Sequence, residues 1–125
     1  MILQKPETAK SIITKEPFIR ELKVFVSPFL QKEVTEFSVG MTVLPPGNST
    51  SNHEHDAEVE AWLVIKGTGE AIIGGETAEV GPETVIYVLP NTMHQMVNTG
   101  NEEMKFFWVY SPPGSEKVVL DGTMT

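Results

Sequence analysis

The chain has 125 residues, 40% of them hydrophobic, and no cysteine. That is enough for one domain around one core, and it excludes a disulfide framework and thiolate chemistry. The formal net charge of −8 excludes a nucleic-acid binder, which needs a basic face to displace counterions from phosphates.

The plain reading of the acidic balance is solubility; the other is an acidic rim that repels anionic substrates. From Met1 to Lys23 the chain is broken by Lys, Glu and Pro, so neither a signal peptide nor a membrane anchor is expected and the cytoplasm is the default location.

Residues 1–35 read as a mixed arm with edge strands, suited to covering a sheet edge in its own or a neighbouring subunit. Short strands follow at regular spacing: Lys23 to Ser27, Glu36 to Leu44, Glu60 to Lys66, Gly69 to Ile73, Thr77 to Val80, Thr84 to Leu89, Gln95 to Asn98 and Met104 to Tyr110. They are rich in Val, Ile, Phe, Trp and Tyr. Turn residues punctuate them at Pro45-Pro46-Gly47-Asn48, Gly67-Thr68-Gly69, Gly74-Gly75, Gly81-Pro82 and Asn98-Thr99-Gly100-Asn101. No segment keeps a helical period over three turns. The pattern predicts an all-β sandwich or barrel with its core in residues 36–113. Residues 114–125 read as a loop-like tail in which Val118-Val119-Leu120 could pair with an edge.

The chain has three histidines, and they fall where one metal site would need them. His53 and His55 are two apart, so on an extended segment both aim at one centre while Glu54 points away. Asp56 to Val59 reads as a turn or bulge before a strand that puts Glu60, Trp62 and Val64 on one face. His94 must return from a later strand. Each residue alone has a plainer explanation: a polar loop for His53 and His55, a solvated strand end for Glu60. Together they form a donor set of imidazole and carboxylate, which suits Fe, Mn, Ni, Cu or Zn and disfavours sites that need thiolate.

The segment Gly47 to Gly67 resembles the first cupin motif, Gly-x5-His-x-His-x3-4-Glu-x6-Gly, with Gly47, His53, His55, Glu60 and Gly67 in register. The second motif, Gly-x5-Pro-x-Gly-x2-His-x3-Asn, is met at His94 and Asn98 but has Glu83, Leu89 and Asn91 where Gly, Pro and Gly are usual. Asn tolerates the left-handed conformation better than most residues, so Asn91 is a mild change. The resemblance covers most of the chain, from about Phe37 to Pro113. It implies a double-stranded β-helix, or jelly-roll barrel, with one divalent transition metal on His53, His55, Glu60 and His94. Four protein ligands on a six-coordinate metal would leave positions for water, oxygen or substrate.

Met41, Trp62, Met96, Phe106, Trp108 and Tyr110 are candidate pocket residues, though core packing would explain each one singly. Met96 shares the face of His94, and Gln95 the opposite one. A buried Tyr110 phenol could donate a proton, and Glu60 released from the metal could act as a base. Glu58 is expected to face solvent, though as a second carboxylate near the metal it could act as a base, and Asn98 is expected to be a structural turn residue.

Three functions stay open: a small-molecule metalloenzyme of dioxygenase, decarboxylase, isomerase or lyase type, a non-catalytic cupin that binds or senses a small ligand with the metal as anchor, and a structural metal with no ligand. A homodimer is expected from the family and the N-terminal arm, and deleting Met1 to Phe18 is expected to weaken it.

Overall fold

The computed structural model describes residues 1–124. Among these residues nine strands form two antiparallel sheets: β1 (Lys10–Ile13), β2 (Glu21–Val26), β3 (Ser38–Leu44), β4 (Val59–Lys66), β5 (Gly69–Ile73), β6 (Glu76–Val80), β7 (Thr84–Val88), β8 (His94–Asn98) and β9 (Met104–Ser111). One sheet has the order β1-β2-β3-β9-β4-β7 and the other β6-β5-β8. Trp62, Phe106 and Trp108 from the first sheet and Ala71 and Met96 from the second share one buried core. The fold is the expected double-stranded β-helix. No helix among the described residues is long and apolar enough to cross a membrane.

Strand parity explains which residues meet. Along β9, Phe106, Trp108 and Tyr110 are buried while Phe107 and Val109 are half-exposed, so period-two alternation assigns the first three to the inner face. Along β4 the same rule buries Glu60, Trp62 and Val64 and leaves Leu63 and Ile65 exposed. The β4–β9 register sets Glu60 opposite Tyr110 and Trp62 opposite Trp108. The inner face therefore carries a row of aromatic rings, with Trp62 and Phe106 at 5.4 Å and Trp108 stacked on Tyr110 at 4.7 Å.

At the termini one open alternative is resolved and one expectation changes. The arm contains a strand of its own, β1, paired with β2 from Lys10↔Val24 to Ile13↔Glu21, so it extends the six-stranded sheet of its own chain. Val118 to Leu120 does not pair with an edge. Lys117–Leu120 forms one helical turn, α1, with Val119 buried. The β-prone residues are overridden by the anchor before them: Glu116 is fully buried and accepts hydrogen bonds from Ser27 Oγ, Ser38 Oγ and the Gly114 amide. Once that carboxylate is seated, a helical turn is what brings Val119 into the core.

Left-handed backbone falls at positions of both motifs. Gly47 and Gly67 have φ of 76° and 80°, and so do two non-glycine residues, Glu83 at 68° and Asn91 at 57°. These last two stand where the second motif usually has glycine. The backbone keeps the turn although the residue has changed.

A Cβ on Gly47 would meet nothing within 4 Å, whereas one on Gly67 would stand 2.8 Å from Glu103 O and 2.9 Å from Met104 Cα. Gly47→Ala should therefore cost only left-handed strain, about 1 kcal/mol. Gly67→Ala adds a backbone clash and should cost about 2–4 kcal/mol. Chemical denaturation of the two variants checks this; equal losses would contradict the packing described here.

Candidate metal centre

The segment from Gly47 to His55 runs beside β8 almost as a further strand. Gly47 N donates to Asn98 O, Asn98 N to Asn48 O, and Thr50 N to Met96 O. At its end His53 and His94 exchange backbone hydrogen bonds, His53 N to His94 O at 3.1 Å and His94 N to His53 O at 2.8 Å. Asn91 N donates to His55 O at 2.7 Å, which ties the second histidine to the left-handed turn before β8. Glu60 arrives from β4 in the other sheet. The cluster thus sits where the two sheets meet.

One ligand atom from each of His53, His55, Glu60 and His94 lies within 4.8 Å of all the others. That is on the scale of the roughly 4.2 Å between opposite ligands at metal bonds of about 2.1 Å. The orientation of the rings is more telling. His53 Nδ1 lies 2.8 Å from Ser51 O, and His94 Nδ1 lies 2.8 Å from Thr92 O. A carbonyl only accepts, so each neutral ring carries its proton on Nδ1 and presents the Nε2 lone pair. His55 Nδ1 has Glu58 Oε1 at 3.2 Å and Ser115 Oγ at 3.0 Å. Glu60 Oε2 accepts from the Trp62 indole N–H, which leaves Oε1 for the centre.

The atoms that face the centre are unsatisfied. Glu60 Oε1 stands 3.2 Å from His55 Nε2 and 3.0 Å from His94 Nε2, yet all three are buried without a hydrogen bond of acceptable geometry. Buried polar atoms without partners are rare and costly, and a cation among them would satisfy the whole set. The donors fit one divalent transition metal.

The electrostatics of the cluster are set by burial and by the four side chains acting on one another. Burial, with the neighbouring histidines, holds His53 at about 4. Burial would raise Glu60, but His55, His94 and Trp62 outweigh it and bring its carboxyl to about 2. Burial opposes a charge on His94, and Glu60 beside it wins, so its pKa is raised. The fully buried Tyr110 phenol is pushed well above its usual value, by burial first and then by Glu60.

A cavity of about 20 Å³ adjoins the cluster, lined by His53, Glu60, Trp62, Phe106, Trp108 and Tyr110 together with Arg20, Thr42 and Thr50. That is room for about one water molecule. Met41 is not among the lining residues. Thr42 faces the cavity, and Met41, opposite Phe107, faces the outer side of the sheet. Met96 is fully buried in the core between the sheets rather than on the cavity wall. Glu58 is buried at 8% exposure, because it turns inward to His55 instead of facing solvent. Asn98 is buried and fastens the turn after β8, donating from Nδ2 to Leu44 O and Glu102 O and accepting from Gly100 N.

Arg20 is the residue that sequence reasoning missed. It is 1% exposed, with Nη1 donating to Phe18 O at 2.7 Å and Thr14 Oγ1 at 3.3 Å, and Nη2 at 3.5 Å from Ser51 Oγ. It is the single arginine of an acidic chain and stands at the head of a strand, a signal that was available.

The fold and this cluster define a β-barrel protein with a candidate three-histidine, one-glutamate metal centre. The sequence matches the family model of the cupin domain over residues 40–110, and the chain belongs to that family. Among its relatives is an uncharacterized protein of Methanocaldococcus jannaschii, 32% identical over 109 residues, with 86% of this chain and 84% of the relative covered. The L-ectoine synthase of Bordetella parapertussis is 32% identical over 94 residues, covering 74% of this chain and 70% of the enzyme. In fold, the chain is similar to a predicted oxalate decarboxylase of Thermotoga maritima, with a TM-score of 0.76 at 23% identity over 90% of this chain and 99% of that one.

The His53 shift has a pH consequence for the metal-free protein. Between about pH 6.5 and 4 the unfolded chain binds a proton at His53 that the folded chain does not, so stability falls as pH drops through that window. His53→Gln should flatten this part of the profile in thermal melts recorded with chelator. An unchanged slope would show that His53 is not the group responsible.

Proposed function

We propose that this cupin is a metal-dependent enzyme acting on a small anionic molecule, with one divalent transition metal held by His53, His55, Glu60 and His94. The observation that carries this reading is the convergence of buried, unsatisfied Nε2 and Oε1 atoms from side chains whose other polar atoms are already held. A bound metal would supply Lewis-acid or redox chemistry to a coordinated carboxylate, carbonyl or enol. The chain's own groups do the rest. Arg20 gives the cavity a permanent positive charge, which suits a carboxylate, and Thr42 and Thr50 add hydroxyls beside it. Tyr110 stays protonated at neutral pH and is the available proton donor. Glu60, with a pKa of about 2, is a weak base, which favours a ligand role over general-base work. A relative that bears an enzyme's name, L-ectoine synthase, supports the enzymatic reading without naming the substrate.

The second reading is a small-ligand binding or sensing protein with the metal as anchor. The small size of the cavity, about 20 Å³, favours it, because it leaves little room for a substrate to react beside the cluster.

Elemental analysis tests the site. Wild-type protein should carry roughly one metal ion per chain, and His53→Ala roughly a tenth of that or less. Equal content in both would sink the ligand assignment. On iron-loaded protein, a change in the electron paramagnetic resonance signal with nitric oxide supports an open coordination position, and a silent spectrum counts against catalysis. Turnover of a panel of small carboxylates that falls in Arg20→Gln separates the enzyme from the binding protein.

We also propose a homodimer that pairs through the outer face of the six-stranded sheet. Leu63, Val85 and Tyr87 expose 37%, 66% and 62% of their surface, and Leu63 lies opposite both Val85 and Phe107 in the register. A row of large apolar side chains on one sheet face suits a self-complementary contact. Val85→Lys with Tyr87→Lys should halve the apparent mass in size-exclusion chromatography with light scattering. An unchanged mass would remove this face from the interface.

A further inference from the structure

A second and much larger space lies between the end of β1 with the loop after it and the C-terminal segment. It is a groove of about 580 Å³ lined by Ile12 to Phe18 on one side and Gly122, Thr123 and Met124 on the other. Met124 lines this groove and also the cavity of about 20 Å³ beside His53 and Glu60. Thr14 belongs to the groove wall, is itself buried, and its hydroxyl hydrogen-bonds the Arg20 backbone amide and guanidinium. Arg20 in turn lines the inner cavity. The two spaces therefore share one wall residue, Met124, and are linked through Arg20, which hydrogen-bonds both Thr14 and Phe18 of the groove wall.

We propose that this groove is the access route and outer binding site for the small anionic ligand, and that Met124 is the gate that sets the size of ligand reaching the metal. The proposal rests on the metal-site reading above and adds where the ligand enters and what limits it. The chain around Met124 is built for local movement. Glu116 anchors the tail in the core, and α1 ends at Leu120. Beyond it, Gly122 has φ 73°, Met124 is held by one amide bond to Val118 O, and Thr123 by its amide and its hydroxyl to the same oxygen. A thioether on three rotatable bonds packs against the core without a fixed shape. Swinging it aside joins the groove to the cavity while Glu116 and Val119 stay seated. Gates of this kind are drawn from weakly held segments.

The other opening near the cluster, beside His55, is lined by Glu54, Asp56 and Glu58. Its carboxylates repel an anion. The groove by Met124 leads instead to the guanidinium of Arg20.

The test uses cobalt-loaded full-length protein and stopped-flow absorbance of the metal's visible bands, with azide as the small anion and benzoate as the bulky one. Met124→Ala should speed benzoate binding at least roughly tenfold with little change for azide, and Met124→Trp should slow both. Cobalt bound, azide responsive and benzoate rates equal in all three proteins would overturn the gate and leave the metal site standing. Faster anion binding in Glu54→Lys with Asp56→Lys, with no effect at Met124, would place the route at the acidic cleft and overturn the proposal. Failure of cobalt to bind the wild type would overturn the metal reading itself and the gate with it.

Discussion

The reciprocal backbone pair between His53 and His94 is the contact on which the site depends. The two hydrogen bonds at 3.1 and 2.8 Å close a narrow antiparallel bridge between an otherwise irregular segment and the start of β8. They bring two rings 41 residues apart in sequence to a centroid separation of 4.3 Å. The bridge also fixes backbone direction, so that each ring finds the carbonyl two residues before it, Ser51 O or Thr92 O, at its Nδ1. Ring orientation and tautomer both follow from main-chain geometry. A side-chain partner could rotate away; a carbonyl held beside the sheet cannot do so without opening the bridge.

Glu60 is placed by a different device. It comes from the other sheet, in a strand whose inner face is otherwise apolar, and a buried carboxylate there is costly unless its lone pairs are met. Trp62, two residues on and on the same face, meets one oxygen with its indole N–H. The other is left among the histidines. The aromatic row along β4 and β9 thus has two uses, filling the core and aiming the carboxylate. His55 is the least main-chain-bound of the four. Its Nδ1 depends on Glu58 and Ser115, and Ser115 precedes the Glu116 anchor. The C-terminal segment therefore touches the site twice, through Ser115 at His55 and through Met124 at the cavity.

Much of this was legible in the sequence, for identifiable reasons. Strands β3 to β9 follow from period-two alternation between Gly and Pro turns, and the spacing of His53, His55 and Glu60 is a short-range property. What escaped was decided at long range. Arg20 lies 33 residues before His53 and reaches the cavity because β2 joins the sheet beside β3. Met41 looked inward on its apolar character alone, but Gly40 and Thr42 take the inner face, where Trp108 packs over Gly40. Strand parity was available; the phase of β3 was not. Glu58 looked like a surface acid; its partner His55 is three residues away, and the contact of Ser115 with that ring, from the far end of the chain, is the part nothing local announces. The helical turn at Lys117–Leu120 runs against the propensity of Val118 and Val119, and only the seating of Glu116 explains it.

The departures from the second motif show what those positions are for. If glycine were needed there for close approach of another group, Glu83 and Asn91 would not be tolerated. Both residues instead carry side chains at positive φ, and Glu83 points to solvent. The requirement is the left-handed backbone turn. It is met at a strain of about 1–2 kcal/mol per residue, small beside what the surrounding sheet contributes and reduced for Asn. At Asn91 that turn directs the amide to His55 O, so the strained residue adds a further tie between the first motif and the second. Strain of this kind persists where neighbouring structure over-determines it, and here the His53–His94 bridge and the Asn91–His55 bond hold it from both sides. The second motif is preserved as geometry after it has faded as sequence.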